Sequence, residues 1–225
     1  MAVIVLNLKA YKESTGAEGM KLCKIAESVA KGTDVGIIVA PQTADLMAIA
    51  SEVSIPVFAQ AVDASDQGAF TGAVTLESIK SAGCMGTLIN HSERRMKLFD
   101  INKLIEKAKE LGLESLVCTA TTAESRAVAA LEPTYVAVEP PELIGSGVSV
   151  SSAQPEIVEN SVAEVKKIAD VSVVCGAGIS NGRDVSKAIE LGADGVLLAS
   201  AFVKAKDPHA VLDDMVKGAE KAKKK

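Results

Sequence analysis

The stretch YVAVEPPELIGSG, at residues 135–147, combines an apolar run, one acid, two prolines and a glycine-rich end. The run YVAV is typical of a buried parallel strand, because such strands are covered on both faces. Glu139 follows it directly, and the prolines then make the chain leave the sheet stiffly. The glycines let backbone amides approach a ligand. The stretch therefore predicts a strand ending in an acid before a lid-like loop, although alone it equally fits a surface glutamate and an ordinary loop.

The same alternation of strand and helix recurs along the whole chain of 225 residues. Strands are predicted at residues 3–8, 36–40, 55–61, 86–90, 115–119, 135–138, 172–176 and 194–199. Helices are predicted at residues 17–31, 44–51, 76–82, 102–111, 122–131, 155–169, 181–191 and 208–221, the second of them capped by Thr43. This pattern predicts an α/β protein, a single (β/α)8 TIM barrel domain spanning residues 1–225. An open doubly wound sheet alternates in the same way, but the first strand–helix junction has no GxGxxG motif.

The composition excludes several classes of function. The chain is 48% hydrophobic and carries a net charge of −5 without a basic stripe, so we expect no nucleic-acid partner. No apolar run is long enough to cross a bilayer, and the N-terminus lacks the features of a signal peptide, which predicts a cytoplasmic protein without membrane contact. The four cysteines are scattered, which favours buried, reduced thiols, and the two histidines form no metal-binding cluster with them. We therefore expect no metal ion.

In a barrel of this kind the chemistry lies at the carboxyl ends of the strands. The candidate site residues predicted at those ends are Asn7 and Lys9, His91 and Glu93, Glu139, Gly178, and Ala199 and Ser200. Loops after the seventh and eighth strands commonly bind a phosphate group through backbone amides and a helix N-terminus. These residues together would supply a base, an imidazole, a lysine and a phosphate site.

Several motifs occur in one fixed order along the chain: NLK at 7–9, AQAV at 59–62, GAFTG at 68–72, NHSERR at 90–95, VEPPELIGSG at 138–147, GAGI at 176–179 and LLASA at 197–201. With these motifs the chain resembles the triose-phosphate isomerase family, specifically its short archaeal type, across nearly its whole length. The resemblance implies interconversion of dihydroxyacetone phosphate and glyceraldehyde 3-phosphate, in glycolysis and gluconeogenesis, without a cofactor.

The reaction needs a base beside two carbons and a donor for the developing oxyanion. A single carboxylate above both carbons can carry the proton, and Glu139 is placed for this role. His91, expected near a helix N-terminus, would act as a neutral donor, for which this family is the established example. Lys9 would provide a fixed positive charge against the dianionic substrate and the enediolate.

The remaining roles are implied by the resemblance. Asn7 would orient Lys9 and line the oxyanion side, and Glu93 would support Lys9 and the histidine loop. The residues expected to contact substrate, mostly through backbone N–H groups to phosphate, are Asn7, Lys9, Ile144, Gly178, Ala199 and Ser200.

The resemblance also implies a homo-oligomer. In the family the loop at residues 62–72 enters a pocket of a second subunit, and Phe70 and Thr71 match its tip. Thr71 would then lie beside Asn7 and Lys9 of the neighbouring subunit. We expect a dimer at minimum, and a tetramer because short archaeal relatives often pair two dimers.

Two other functions are compatible with parts of this pattern. One is a different barrel enzyme with a phosphorylated substrate, such as a lyase or an aldolase that forms a Schiff base through Lys9. The other is a phosphate-binding relative that has lost turnover. The presence of Glu139, His91 and Lys9 together argues against the second alternative.

Overall fold

The structure is a computed structural model that describes residues 1–140 and 149–223. Eight parallel strands form one sheet in the order β2-β1-β8-β7-β6-β5-β4-β3, and a parallel bridge between Val39 and Val57 joins its two ends. The strands β1 to β8 are Val3–Asn7, Gly36–Ala40, Phe58–Ala59, Gly86–Ile89, Glu114–Thr119, Tyr135–Val138, Ser172–Cys175 and Gly195–Leu198. The predicted (β/α)8 barrel is confirmed, and the open doubly wound sheet is excluded.

Helices cover the outside of the strands. The helices α1 to α10 are Ala17–Ala30, Leu46–Ala50, Leu76–Ser81, Leu98–Leu111, Thr122–Ala129, Val150–Ala153, Pro155–Ile168, Gly182–Glu190, Ser200–Val203 and Pro208–Lys223. The short helices α6 and α9 were not predicted, because four residues are too few to show a helical period. Within residues 1–140 and 149–223, no helix is both long and apolar enough to cross a bilayer.

The strands are apolar on both faces because both faces are covered. Val3 and Val5 point into the barrel, where they join one cluster with inward residues of the other strands. Ile4 and Leu6 point outward into a second, larger cluster that the helices cover. Since side chains alternate along a strand, the next inward position beyond Val5 is Asn7. The inward face of each strand therefore leads directly to the carboxyl-terminal rim.

Two predicted details of this framework are wrong. The third strand is restricted to Phe58–Ala59, since Pro56 has no N–H to donate and Val57 makes only the isolated bridge. Thr43 does not cap α2 with its side chain, because it lies one turn earlier, in a 3-10 turn at Thr43–Asp45. The carboxylate of Asp45 instead accepts a hydrogen bond of 2.8 Å from the N–H of Gly16.

Phe58 provides a test of the barrel interior. Its ring is fully buried, and a β-carbon at Gly86 would lie 2.7 Å from it, so glycine makes room for the ring. We expect Phe58→Ala to lower the free energy of unfolding by about 3–5 kcal/mol, because it leaves a cavity. Denaturant unfolding at fixed protein concentration measures this, with the exposed Met47→Ala as the control. An equal, small effect of both substitutions would contradict the packing described.

Candidate active site

The rim of the barrel contains a cavity of about 340 Å³. Most of the residues predicted for the site line it: Asn7, Lys9, His91, Glu139, Gly178, Ala199 and Ser200. Glu93 reaches Lys9 from an adjoining depression. Ile144, like all of the predicted lid from Pro141 to Gly147, lies outside the described residues.

Glu139 occupies the next inward position after Ala137 of β6. Its backbone N–H donates to the carbonyl of Thr119 at 2.8 Å, which continues the ladder past the end of the strand. The residue is only 6% exposed, and its buried Oε2 has no hydrogen-bond partner among residues 1–140 and 149–223. That oxygen lies 3.7 Å from Nε2 of His91. A buried carboxylate oxygen without a partner is costly in a folded protein, so its presence here indicates a site for chemistry.

The close approach of Glu139 to the next strand requires a glycine. A β-carbon at Gly176 would lie 2.8 Å from Cγ of Glu139 and 3.0 Å from its Oε1. The GAGI motif therefore gives the carboxylate its space, in addition to any contact with a ligand.

His91 is 6% exposed and is held in one tautomer. Its Nδ1 accepts a hydrogen bond of 3.2 Å from the backbone N–H of Glu93. A nitrogen that accepts cannot carry a proton, so the proton of the neutral ring lies on Nε2, which is directed toward Glu139. Contrary to the prediction, His91 does not lie at a helix N-terminus, since α4 begins only at Leu98. The N–H comes from the turn that follows β4.

The loop that carries His91 is shaped by Asn90, which was not predicted as a site residue. Asn90 has a φ of 60° and is buried. Its Nδ2 donates to the carbonyl of Cys118 at 2.9 Å, and its Oδ1 accepts from the N–H of Met96 at 2.9 Å. Asparagine tolerates this left-handed backbone better than most residues, which explains why it stands before the histidine.

Lys9 has a φ of 47°, so its backbone is left-handed just beyond the end of β1. The Oδ1 of Asn7 accepts from the N–H of Lys9 at 3.0 Å, and Nε2 of Gln60 donates to the carbonyl of Lys9 at 3.1 Å. These two side chains hold a conformation that lysine rarely adopts. Nζ of Lys9 lies 2.9 Å from Oε1 of Glu93. Gln60 was not predicted as a site residue, although a polar residue directly after β3 could have indicated one.

The other end of the cavity presents backbone donors. Gly178 has a φ of 75°, which favours glycine. In the part of the chain that the structure describes, the N–H groups of Gly178, Ala199 and Ser200 have no acceptor. The N–H of Val150 donates to the carbonyl of Ala177 at 3.1 Å, which ties the chain after the predicted lid to this loop. Free amides directed at a cavity are suited to an anion.

Cys118 belongs to the interior of the barrel beneath the site, which fits the buried, reduced thiols that the sequence predicts. Burial, followed by the charge of Glu139, raises the pKa of Cys118 well above its ordinary value. The thiol therefore stays neutral and is not a nucleophile.

Comparisons with known proteins agree with this geometry. The model of the family described as triosephosphate isomerase matches residues 2–218. The triosephosphate isomerase of Methanocaldococcus jannaschii is 54% identical over 96% of this chain and 99% of its own length. That of Methanothermus fervidus is 54% identical over 95% of this chain and 97% of its own length. That of Archaeoglobus fulgidus is 51% identical, with coverage of 96% and 97%. The chain belongs to the triosephosphate isomerase family.

Proposed function

We propose that this chain interconverts dihydroxyacetone phosphate and glyceraldehyde 3-phosphate through an enediolate, with Glu139 as the carbon base. The observation that carries the proposal is the 3.7 Å separation of Glu139 Oε2 and His91 Nε2 inside a cavity that Lys9 also lines. A base, a neutral donor and a cation are the groups that proton abstraction beside a carbonyl requires. The enzyme would act in glycolysis and gluconeogenesis, as its family does.

The steps follow from the positions of these groups. Glu139 removes a proton from the hydroxyl-bearing carbon beside the carbonyl. The electron pair of that C–H bond forms the double bond of the enediolate, and the carbonyl pair moves onto oxygen. The Nε2–H of His91 donates its proton to this oxygen, and the ring takes up the proton of the neighbouring hydroxyl. Glu139 then returns its proton to the former carbonyl carbon, which gives the aldehyde product.

Lys9, Asn7 and Glu93 would support this chemistry electrostatically. Nζ of Lys9 is paired with Glu93, and because Lys9 lines the cavity, its charge would offset that of the enediolate. Asn7 would keep the backbone of Lys9 in its left-handed conformation through the 3.0 Å hydrogen bond. The amine of Lys9 is engaged in this ion pair with Glu93, which argues against a Schiff-base aldolase.

The phosphate group would lie at the end of the cavity formed by Gly178, Ala199 and Ser200. Their free N–H groups support this placement, since a dianion gains most from several donors converging on it. The role of Ile144 rests on the resemblance alone. A lid over this end would exclude water, which would otherwise promote loss of phosphate from the enediolate.

The oligomer would form through the loop at residues 62–72. Phe70 is 55% exposed at its tip, and an apolar side chain in that position is suited to burial in another subunit. Asp66, at the base of the loop, is bonded by Lys103 and Lys107, which hold the pKa of that carboxyl at about 2. The carboxylate therefore stays ionised at neutral pH, and the two bonds tie the loop to α4.

Phe70→Asp tests the dimer. We expect it to give monomers, because burying a carboxylate in the partner's pocket is strongly unfavourable. Analytical ultracentrifugation measures the change, with the exposed Met47→Asp as a control that keeps the wild-type mass. A Phe70→Asp protein with the mass of the wild type would contradict the proposal.

A tetramer would need a second apolar surface. Leu98 and Phe99, at the start of α4, are 55% and 77% exposed and adjacent, which supports pairing of dimers there.

The described cysteines are all free and buried, which supports a reducing, cytoplasmic location for a single barrel domain.

A further inference from the structure

The mouth of the cavity contains Tyr11 and Lys204, neither of which was predicted as a site residue. Both line the cavity, and Nζ of Lys204 lies 4.2 Å from the centroid of the Tyr11 ring. Lys204 directly follows α9, and its N–H donates to the carbonyl of Ser200 at 3.0 Å. It is therefore one helical turn beyond Ser200, and helical side chains lean toward the preceding turn. This arrangement places the ammonium group beside the proposed phosphate end.

The charge of Lys204 is not neutralised by the protein. Among the described residues no carboxylate pairs with it, whereas Lys9, the other lysine that lines the cavity, pairs with Glu93 at 2.9 Å. An aromatic face attracts a cation through its quadrupole but carries no net charge. Tyr11 therefore holds the ammonium group in place and leaves its full charge available to an anion. In a chain with a net charge of −5, a local cation at the cavity mouth would offset the general repulsion of a dianion.

The backbone of Tyr11 is itself well anchored. Its carbonyl accepts hydrogen bonds from the N–H of Ser14 at 3.1 Å, from the hydroxyl of Ser14 at 2.9 Å and from the hydroxyl of Thr15 at 3.1 Å. The ring of Tyr11 therefore extends from a compact turn that begins two residues after Lys9. A fixed ring restricts the positions that the flexible lysine side chain would otherwise sample.

We infer that Lys204 is a specificity-determining residue that captures the phosphate group of the substrate, and that Tyr11 positions it. The inference rests on the proposed phosphate end at Gly178, Ala199 and Ser200. Lys204 selects phosphorylated trioses over unphosphorylated ones and raises the rate of substrate capture. It takes no part in proton transfer, since among the described residues no hydrogen bond or ion pair joins it to Glu139 or His91.

Lys204→Met tests the capture role. We expect kcat/KM for glyceraldehyde 3-phosphate to fall about tenfold at low ionic strength, and the loss to shrink as salt screens the charge. The substitution should raise KM more than it lowers kcat. The loss of kcat/KM should be much smaller for unphosphorylated glyceraldehyde. Lys206→Met is the matched control: it removes the same charge two positions along, from an exposed side chain that does not line the cavity. Equal effects of the two variants would overturn the inference.

The role of Tyr11 is tested by two substitutions. Tyr11→Phe keeps the aromatic face, so we expect kcat/KM and its salt dependence to stay close to the wild type. Tyr11→Leu removes the quadrupole but keeps an apolar side chain, so we expect part of the loss seen for Lys204→Met. If Tyr11→Leu behaves like Tyr11→Phe, the ring does not position the lysine.

Inorganic phosphate separates a failure of this inference from a failure of the proposed site. Its inhibition constant is measured for the wild type, Lys204→Met and Ser200→Asp, the last of which places an anion beside the three free amides. We expect competitive inhibition that is weakened several-fold by Lys204→Met and more strongly by Ser200→Asp. Weakening by Ser200→Asp alone would overturn the role of Lys204. No weakening by either would overturn the phosphate end itself.

Discussion

Glu139→Gln is expected to lower kcat by about 10³-fold with little change in KM, because a positioned general base contributes about 10²–10⁴-fold. The amide has nearly the same shape as the carboxylate, so the cavity and the contacts with substrate persist. Only the capacity to accept a proton from carbon is lost. The separation of 3.7 Å between Oε2 of Glu139 and Nε2 of His91 supports the proposal that Glu139 is the base and His91 the oxyanion donor.

A coupled assay on glyceraldehyde 3-phosphate measures this loss. Glu132→Gln, an exposed acid away from the cavity, is the control and should leave kcat unchanged. Glu139→Asp keeps the charge but withdraws the carboxylate by one methylene, so we expect an intermediate loss. Undiminished activity of Glu139→Gln would refute the assignment of the base.

Lys9→Met is expected to lower kcat/KM by about 10²–10³-fold, the loss typical for removal of one preorganised electrostatic contact to a developing oxyanion. The substitution keeps most of the length of the side chain, and it also leaves Glu93 without its partner at 2.9 Å. An unpaired carboxylate near the enediolate would add repulsion, so the double substitution Lys9→Met with Glu93→Gln should recover a small part of the loss.

The control for Lys9→Met is Lys12→Met, which removes an exposed lysine from the same loop. Borohydride treatment of the wild type with substrate tests whether Lys9 instead forms a Schiff base, as in an aldolase. We expect no covalent adduct at Lys9. An adduct on its Nζ, or full activity of Lys9→Met, would show that Lys9 acts in a different reaction or in none.

The barrel could be predicted because each strand has a local signature. The inward series Val3, Val5 and Asn7 shows apolar residues giving way to a polar one at the rim, and Glu139 follows Ala137 in the same manner. Such a change marks a site, because only the rim of a packed barrel has room for a polar side chain. For this reason most of the residues predicted for the site do line one cavity.

The parts that could not be predicted depend on contacts between distant segments. The left-handed backbone of Lys9 is held by Gln60, and Tyr11 meets Lys204 only because β1 and β8 are neighbours in the sheet. The tautomer of His91 depends on the direction of one N–H group in a turn, which no residue pattern specifies. Helix starts such as that of α4 were displaced because local propensity is a weak guide to boundaries.

The central claim is that Glu139 alone carries the proton between the two carbons. The most direct test is isomerisation of glyceraldehyde 3-phosphate in D2O, with hydrogen at each product carbon followed by NMR for the wild type and Glu139→Gln. A carboxylate that holds the proton lets part of it exchange with solvent, so the wild-type product should carry deuterium at the new carbon–hydrogen bond in part of the molecules. Glu139→Gln should lose isomerisation and exchange together. Wild-type product without any deuterium, or rapid exchange that survives in Glu139→Gln, would contradict the claim.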